Sequence, residues 1–110
     1  AEKFFEQALP IHREIGNRLG EANALQSLGD VKRVQSDYAQ AEEFLTKAMG
    51  IFATIDDKYS QGTTLLSLAR LHRASGSKQK AEQSARRAMG FLAAFPNLVK
   101  ACDKIIRDLS

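Results

Sequence analysis

The side chains in this sequence that could do chemistry are two histidines, two adjacent acid pairs, one cysteine and a scatter of arginines and lysines. Their spacing decides what each could do. His12 and His72 lie sixty residues apart, and there is neither a His-x3-His pattern nor a second cysteine, so the ligands of a metal site are not assembled. Glu42-Glu43 and Asp56-Asp57 are neighbours whose side chains diverge on a helix; acid near a helix start is explained by the positive end of the helix dipole. Gly62-Thr63-Thr64 lacks the spacing and the lysine of a phosphate-binding loop. Cys102, alone, reads as a small apolar residue. No set of groups converges as catalysis requires, so the expectation is a non-enzyme with no cofactor and no metal.

Binding chemistry is better represented. Asn23, Gln26, Asp30 and Arg33 follow a three-four spacing that puts them on one side of a helix, the less apolar side. Guanidinium groups bind carboxylates through two parallel hydrogen bonds, so arginines on such a face suit an acidic ligand or a C-terminal carboxylate. Arg70, Arg73, Lys78, Lys80, Arg86 and Arg87 form a basic sector. Single-stranded nucleic acid needs aromatic side chains to stack its bases, and no Phe, Tyr or Trp lies between Tyr59 and Phe91. RNA binding is therefore the weaker alternative.

The elements that carry these residues emerge when the sequence is written in rows of forty. Ala1-Glu2-Lys3-Phe4-Phe5 then aligns without a gap with Ala41-Glu42-Glu43-Phe44-Leu45 and Ala81-Glu82-Gln83-Ser84-Ala85. Ala8, Ala48 and Ala88 coincide, as do Leu9, Met49 and Met89, then Ile11, Ile51 and Phe91, and Ile15, Ile55 and Phe95. Leu25-Gln26-Ser27-Leu28 matches Leu65-Leu66-Ser67-Leu68. Apolar residues recur at helical spacing, Ala41, Phe44, Leu45, Ala48, Met49, Phe52 and Ile55 on one side and Glu43, Lys47, Gly50 and Thr54 opposite, which excludes strands. Turn signals at Ser36-Asp37, Asp56-Asp57, Gly76-Ser77 and Pro96-Asn97 divide the sequence into helices expected near 2–16, 18–35, 38–56, 59–75, 78–94 and 97–109. His12 occupies the position of Phe52 and Leu92, so a partly buried structural histidine is expected. His72 shares its register with Lys32, which points to a helix flank.

The order Leu25-x2-Leu28-Gly29, then Ala41, Leu45 and Ala48, resembles the tetratricopeptide repeat, and Leu65-x2-Leu68-Ala69 with Ala81, Ala85 and Ala88 repeats it. The period of forty and the stretch GEANALQSLG from Gly20 to Gly29 resemble the long-repeat variety found in polarity scaffolds of the Pins/LGN type and in kinesin light chains. The resemblance implies an all-α solenoid of antiparallel helix pairs wound into a right-handed superhelix. It also implies one domain over 1–110, in which 1–16 is the second helix of a truncated repeat, 18–56 and 59–95 are repeats and 97–109 is a capping helix. In that family the first helix of each repeat lines a concave groove. The resemblance therefore places Asn23, Gln26, Asp30, Arg33 and Val34 there from one repeat, and Thr63, Leu66, Arg70, Arg73 and Ala74 from the next. The implied function is protein-interaction scaffolding around a peptide or partner segment, acidic by the three arginines against one aspartate.

Gly50 and Gly90 fall opposite the apolar stripe, where the first row has Pro10. Such positions face outward, and a helix interior tolerates or uses the defect to curve. Met49 and Met89 flank the stripe and suit gap-filling between units. Leu98, Val99, Cys102, Ile105, Ile106 and Leu109 make the apolar side of the last helix, with Lys100, Asp103, Lys104, Arg107 and Asp108 on its polar side.

At the other end, Phe4, Phe5 and Leu9 on a helix with no preceding partner would form an exposed apolar edge, and self-association through it is expected. A structural spacer is the further alternative. The sequence starts with Ala1 inside a repeat, the pattern of a piece excised from a longer protein. Residues 1–55 carry six Lys/Arg against eight Asp/Glu, and residues 56–110 carry ten against five, so the C-terminal half is the one that attracts acidic partners. No apolar run approaches the roughly 20 residues that span a bilayer, and a cytoplasmic protein without membrane attachment is expected.

Overall fold

The computed structural model describes residues 2–14 and 16–109, and among them there are six helices and no strand. These are α1 (Glu2–Glu14), α2 (Arg18–Val34), α3 (Tyr38–Thr54), α4 (Lys58–Ala74), α5 (Lys78–Phe91) and α6 (Pro96–Asp108). They fall into two compact units, residues 1–57 and residues 58–110. In the first, α2 packs against both α1 and α3; in the second, α4 and α6 pack against α5, and α4 also touches α6.

The turns follow a rule shorter than the forty-residue repeat. Gly16, Ser36, Asp56 and Gly76 all have positive φ, at 71°, 62°, 57° and 85°, so a left-handed residue recurs every twenty positions. After each, the next backbone N–H reaches back across the end of the preceding helix: Asn17 to the His12 carbonyl, Asp37 to Lys32, Asp57 to Phe52 and Ser77 to His72, at 2.8–2.9 Å. This closure satisfies carbonyls that the helix end leaves without a partner. The same following residue opens the next helix. The Asn17 side chain accepts from the Gly20 N–H at 2.9 Å, and that of Asp37 from the Gln40 N–H at 3.3 Å.

The fifth junction breaks the rule for a covalent reason. The matching position is Pro96, whose ring holds φ near −65° and cannot turn left-handed. The backbone leaves α5 early, at Phe91, and Pro96 becomes the first residue of α6, where its missing N–H costs nothing. The expected range of 78–94 was therefore three residues too long.

The core of the first unit gathers Leu9, Ala22, Ala24, Leu25, Leu28, Ala48, Ile51 and Phe52, with Phe5 and Phe44 packed against it. Burying a side chain the size of Phe52 contributes roughly 1.5–3 kcal/mol. The expected stripe of α3 holds with one exchange: Ile51 is buried and Ile55, at the helix end, is exposed. Small residues let the helices close up. A Cβ on Gly29 of α2 would stand 2.6 Å from Leu45 Cγ of α3, and one on Gly62 of α4 would stand 2.6 Å from Leu92 Cγ beside α5. In contrast, nothing lies within 4 Å of a Cβ built on Gly50 or Gly90, which both face outward as their register requires.

Three expectations are corrected by burial. Leu9 belongs to the core of the first unit, so it is no part of an exposed edge; Phe4, one turn earlier, is 66% exposed. Leu66, expected on a groove wall, is buried, and so is His72, expected on a helix flank. His12, by contrast, is half-buried as its register implied, with Nδ1 3.3 Å from Asn17 Nδ2.

Charged side chains fasten α1 to α2. Glu2 accepts from Lys32 Nζ at 3.0 Å and from Gln35 Nε2 at 2.7 Å. Glu21, buried in the first turn of α2, accepts from Arg13 Nε at 3.1 Å and from Arg18 at 3.0 Å. The two pairs join opposite ends of the helices, which fixes the antiparallel register of α1 on α2.

Candidate functional site

Along α2, Asn23 and Asp30 border two different hollows. Asn23 is exposed and borders a hollow of about 290 Å³ between α1 and α2, together with Phe4, Phe5, Ala8, His12 and Gly20. Asp30 borders a different hollow, of about 320 Å³, beside Val31, Val34 and Gln35. Gln26 lies between them, half-buried. Arg33 is already engaged: its Nε sits 3.9 Å from Asp30 Oδ1, too far for a hydrogen bond but close enough for charge attraction. Both atoms are withdrawn from solvent. Val34 is 75% exposed, an apolar contact on open surface.

The residues singled out on α4 come together better. Arg70 and Arg73 line one hollow of about 370 Å³ with Ala101, Lys104, Ile105 and Asp108 of α6. Their three-residue separation stacks them on one side of α4, and the packing of α6 brings Lys104 to the same space. Arg73 pairs with Asp108 at 3.4 Å, and both partners keep much of their exposure. Arg70 and Lys104 have no carboxylate partner among the described residues. The hollow therefore presents three cations against one carboxylate. Thr63, one to two turns back along α4, uses its hydroxyl locally, donating to the Ser60 carbonyl at 3.1 Å.

Cys102, on the α6 face turned into the unit, is buried, and burial raises its thiol pKa while the Arg70 guanidinium pulls against that rise. The thiol form is inert. Lys104 and Asp108 escaped the spacing analysis because they lie more than thirty residues from Arg70 and Arg73. The sequence signal for them was the polar side of the last helix, expected to be a capping helix.

Two helix pairs of one register, α2 with α3 and α4 with α5, each closed over a small residue, are the architecture that the forty-residue rows require. A family model described as tetratricopeptide repeat matches residues 1–54 and again 28–93. The protein belongs to the tetratricopeptide-repeat family. A search of curated proteins found no match to it. Tetratricopeptide repeats generally mediate protein–protein interaction and scaffolding, and the family is generally non-enzymatic. Among the described residues of this tetratricopeptide-repeat protein, no helix is long and apolar enough to cross a membrane.

Proposed function

We propose that the protein is a cytoplasmic interaction module that binds an acidic segment of a partner, with carboxylates seated in the α4–α6 hollow on Arg70, Arg73 and Lys104. The observation that carries this reading is the charge balance of that hollow, in which two of three cations have no carboxylate partner among the described residues. A partner carboxylate could take the free fork of Arg70 bidentately and the point charge of Lys104. Asp108 holds Arg73 at 3.4 Å as a surface pair worth little on its own, so an incoming acid can replace it. Ala101 and Ile105 supply an apolar floor beside the charges. On the first unit, Asn23, Gln26 and the Asp30–Arg33 pair would make supplementary polar contacts. The forty-residue period supports placing the module with the long-repeat scaffolds of the Pins/LGN type and the kinesin light chains.

The test is a peptide array carrying acidic segments and their amidated counterparts, read by direct binding to the native protein, Arg70→Ala/Lys104→Ala and Asp108→Asn. Acidic peptides should bind the native protein, lose about tenfold or more in affinity with the double variant, given roughly 1.5–3 kcal/mol per charge-assisted contact, and gain affinity with Asp108→Asn. Equal binding by the native protein and the double variant would remove the hollow from consideration.

A further inference from the structure

The forty-residue register puts Arg70 and Arg73 of α4 where α2 has Asp30 and Arg33. On α2 the two positions carry opposite charges, with Arg33 Nε 3.9 Å from Asp30 Oδ1. On α4 both are cations. The fold therefore does not require a charge surplus at these positions; α4 carries one that α2 neutralises internally.

The last helix adds to the surplus. It brings Lys104 and Asp108 to the hollow of about 370 Å³ that the two arginines line, and Asp108 is taken by Arg73 at 3.4 Å. Three cations and one carboxylate leave the hollow a formal +2. Arg70 is the most demanding of them. It is half-buried and has no carboxylate partner among the described residues, and a charge withdrawn from water costs free energy unless an opposite charge compensates it.

The anions that could meet this surplus differ in charge and in oxygen count. A single carboxylate has one charge and two oxygens, so it fills the fork of Arg70 and leaves Lys104 uncompensated. Two carboxylates would have to converge on one hollow, against their mutual repulsion and the ordering entropy of two side chains. A phosphomonoester brings about −1.5 to −2 at neutral pH and three strong acceptor oxygens on one side chain. Two of those oxygens suit the Arg70 fork and the third suits the ammonium of Lys104. Ala101 and Ile105 offer a short side chain an apolar contact, and no aromatic residue lines the hollow to take a phenyl ring.

We infer that the acidic segment received by the α4–α6 hollow is a phosphorylated one, its phosphoserine or phosphothreonine seated on Arg70 and Lys104, with Arg73 released from Asp108. The inference rests on the reading of this hollow as an acid-binding site, and it makes binding conditional on a modification of the partner.

Three peptide libraries with the same degenerate flanks, differing only in a central serine, glutamate or phosphoserine, test this by fluorescence anisotropy, with phosphatidic acid vesicles as a second source of phosphate. Two double variants accompany the native protein. Arg70→Ala/Lys104→Ala changes the hollow, and Lys80→Ala/Arg87→Ala removes the same formal charge from exposed positions of α5. Circular dichroism confirms that both stay helical, and Lys104→Ala alone, at an exposed position, replaces the hollow variant if that unfolds. The phosphoserine library should bind the native protein about tenfold or more tighter than the glutamate library, the ratio that one additional charge-assisted contact provides. The hollow variant should lose that preference and the α5 variant keep it. Equal binding of phosphoserine and glutamate, both lost with the hollow variant, would overturn the inference and leave the hollow as a carboxylate site. Binding by no library would overturn both readings. A preference that survives in the hollow variant, or falls equally in both variants, would also overturn the inference, as would capture of the vesicles with phosphoserine peptides ignored, the mark of a lipid-headgroup site.

Discussion

Glycine has opposite values at different positions of the same helices. Gly50 and Gly90 sit in helix interiors with open space where a Cβ would go, so alanine should stabilise each by about 0.5–1 kcal/mol through helix propensity and a less flexible unfolded state. Gly29 has Leu45 Cγ 2.6 Å and the Ala41 carbonyl oxygen 3.3 Å from the added atom, and alanine there should cost roughly 1–3 kcal/mol in overpacking. Thermal or denaturant unfolding of the three variants checks both signs. The left-handed positions give a matching pair: Ser36→Gly should stabilise and Gly76→Ala destabilise, each by about 1 kcal/mol, the penalty for a Cβ in that conformation. The outward direction of Gly50 and Gly90 was legible from the sequence because it depends on helical phase alone. Gly29 was legible only as a motif residue, since its closeness to Leu45 belongs to the packing of α2 on α3.

Between elements, α1 is held on α2 by groups whose charge varies with pH. The hydrogen bonds from Gln35 and Lys32 lower the pKa of Glu2 from its ordinary 4.5, and the bond to Glu2 raises that of Lys32 from its ordinary 10.5. A lowered carboxylate pKa contributes stability above the ordinary value, and this is lost as pH falls through the folded value; for the raised lysine the loss comes as pH rises through its folded value. Glu2→Gln should therefore be less stable than the native protein at neutral pH, and the difference should close as the pH falls below 4.5. Parallel denaturant titrations across that range measure it. Helix order and most boundaries were readable because apolar phase and turn residues agree at four junctions. The α5 boundary was not, because a sequence row in register says nothing about whether Pro96 can adopt the backbone the register demands. Register also misplaced His72: it shares a row with Lys32, yet Lys32 reaches across to Glu2 while His72 is buried. Equal phase does not guarantee equal neighbours.

For the molecule as a whole, the uneven charge is the feature that most affects function. Residues 58–110 carry seven more basic than acidic side chains, and screening acts within about 8–10 Å at physiological salt. Binding of an acidic peptide at the α4–α6 hollow should therefore weaken several-fold on raising salt from low to physiological levels, mainly through slower association. Stopped-flow mixing at two ionic strengths separates that effect from a change in dissociation. The arginines of this site were legible in the sequence as one side of a helix, whereas the meeting of Lys104 with them was not, since spacing along one helix cannot show what a later helix carries to it.

The twenty-residue recurrence of the left-handed turn has a bearing on how such a protein can change length. Gly16, Ser36, Asp56 and Gly76 end four helices with the same backbone geometry and the same bond back across the last turn. A duplication or deletion that starts at one of these joints and finishes at another would rejoin the backbone in a conformation it already adopts. Two-helix steps would also preserve the alternation of faces on which the core depends. Pro96 offers no such joint, so recombination without local distortion stops at Gly76.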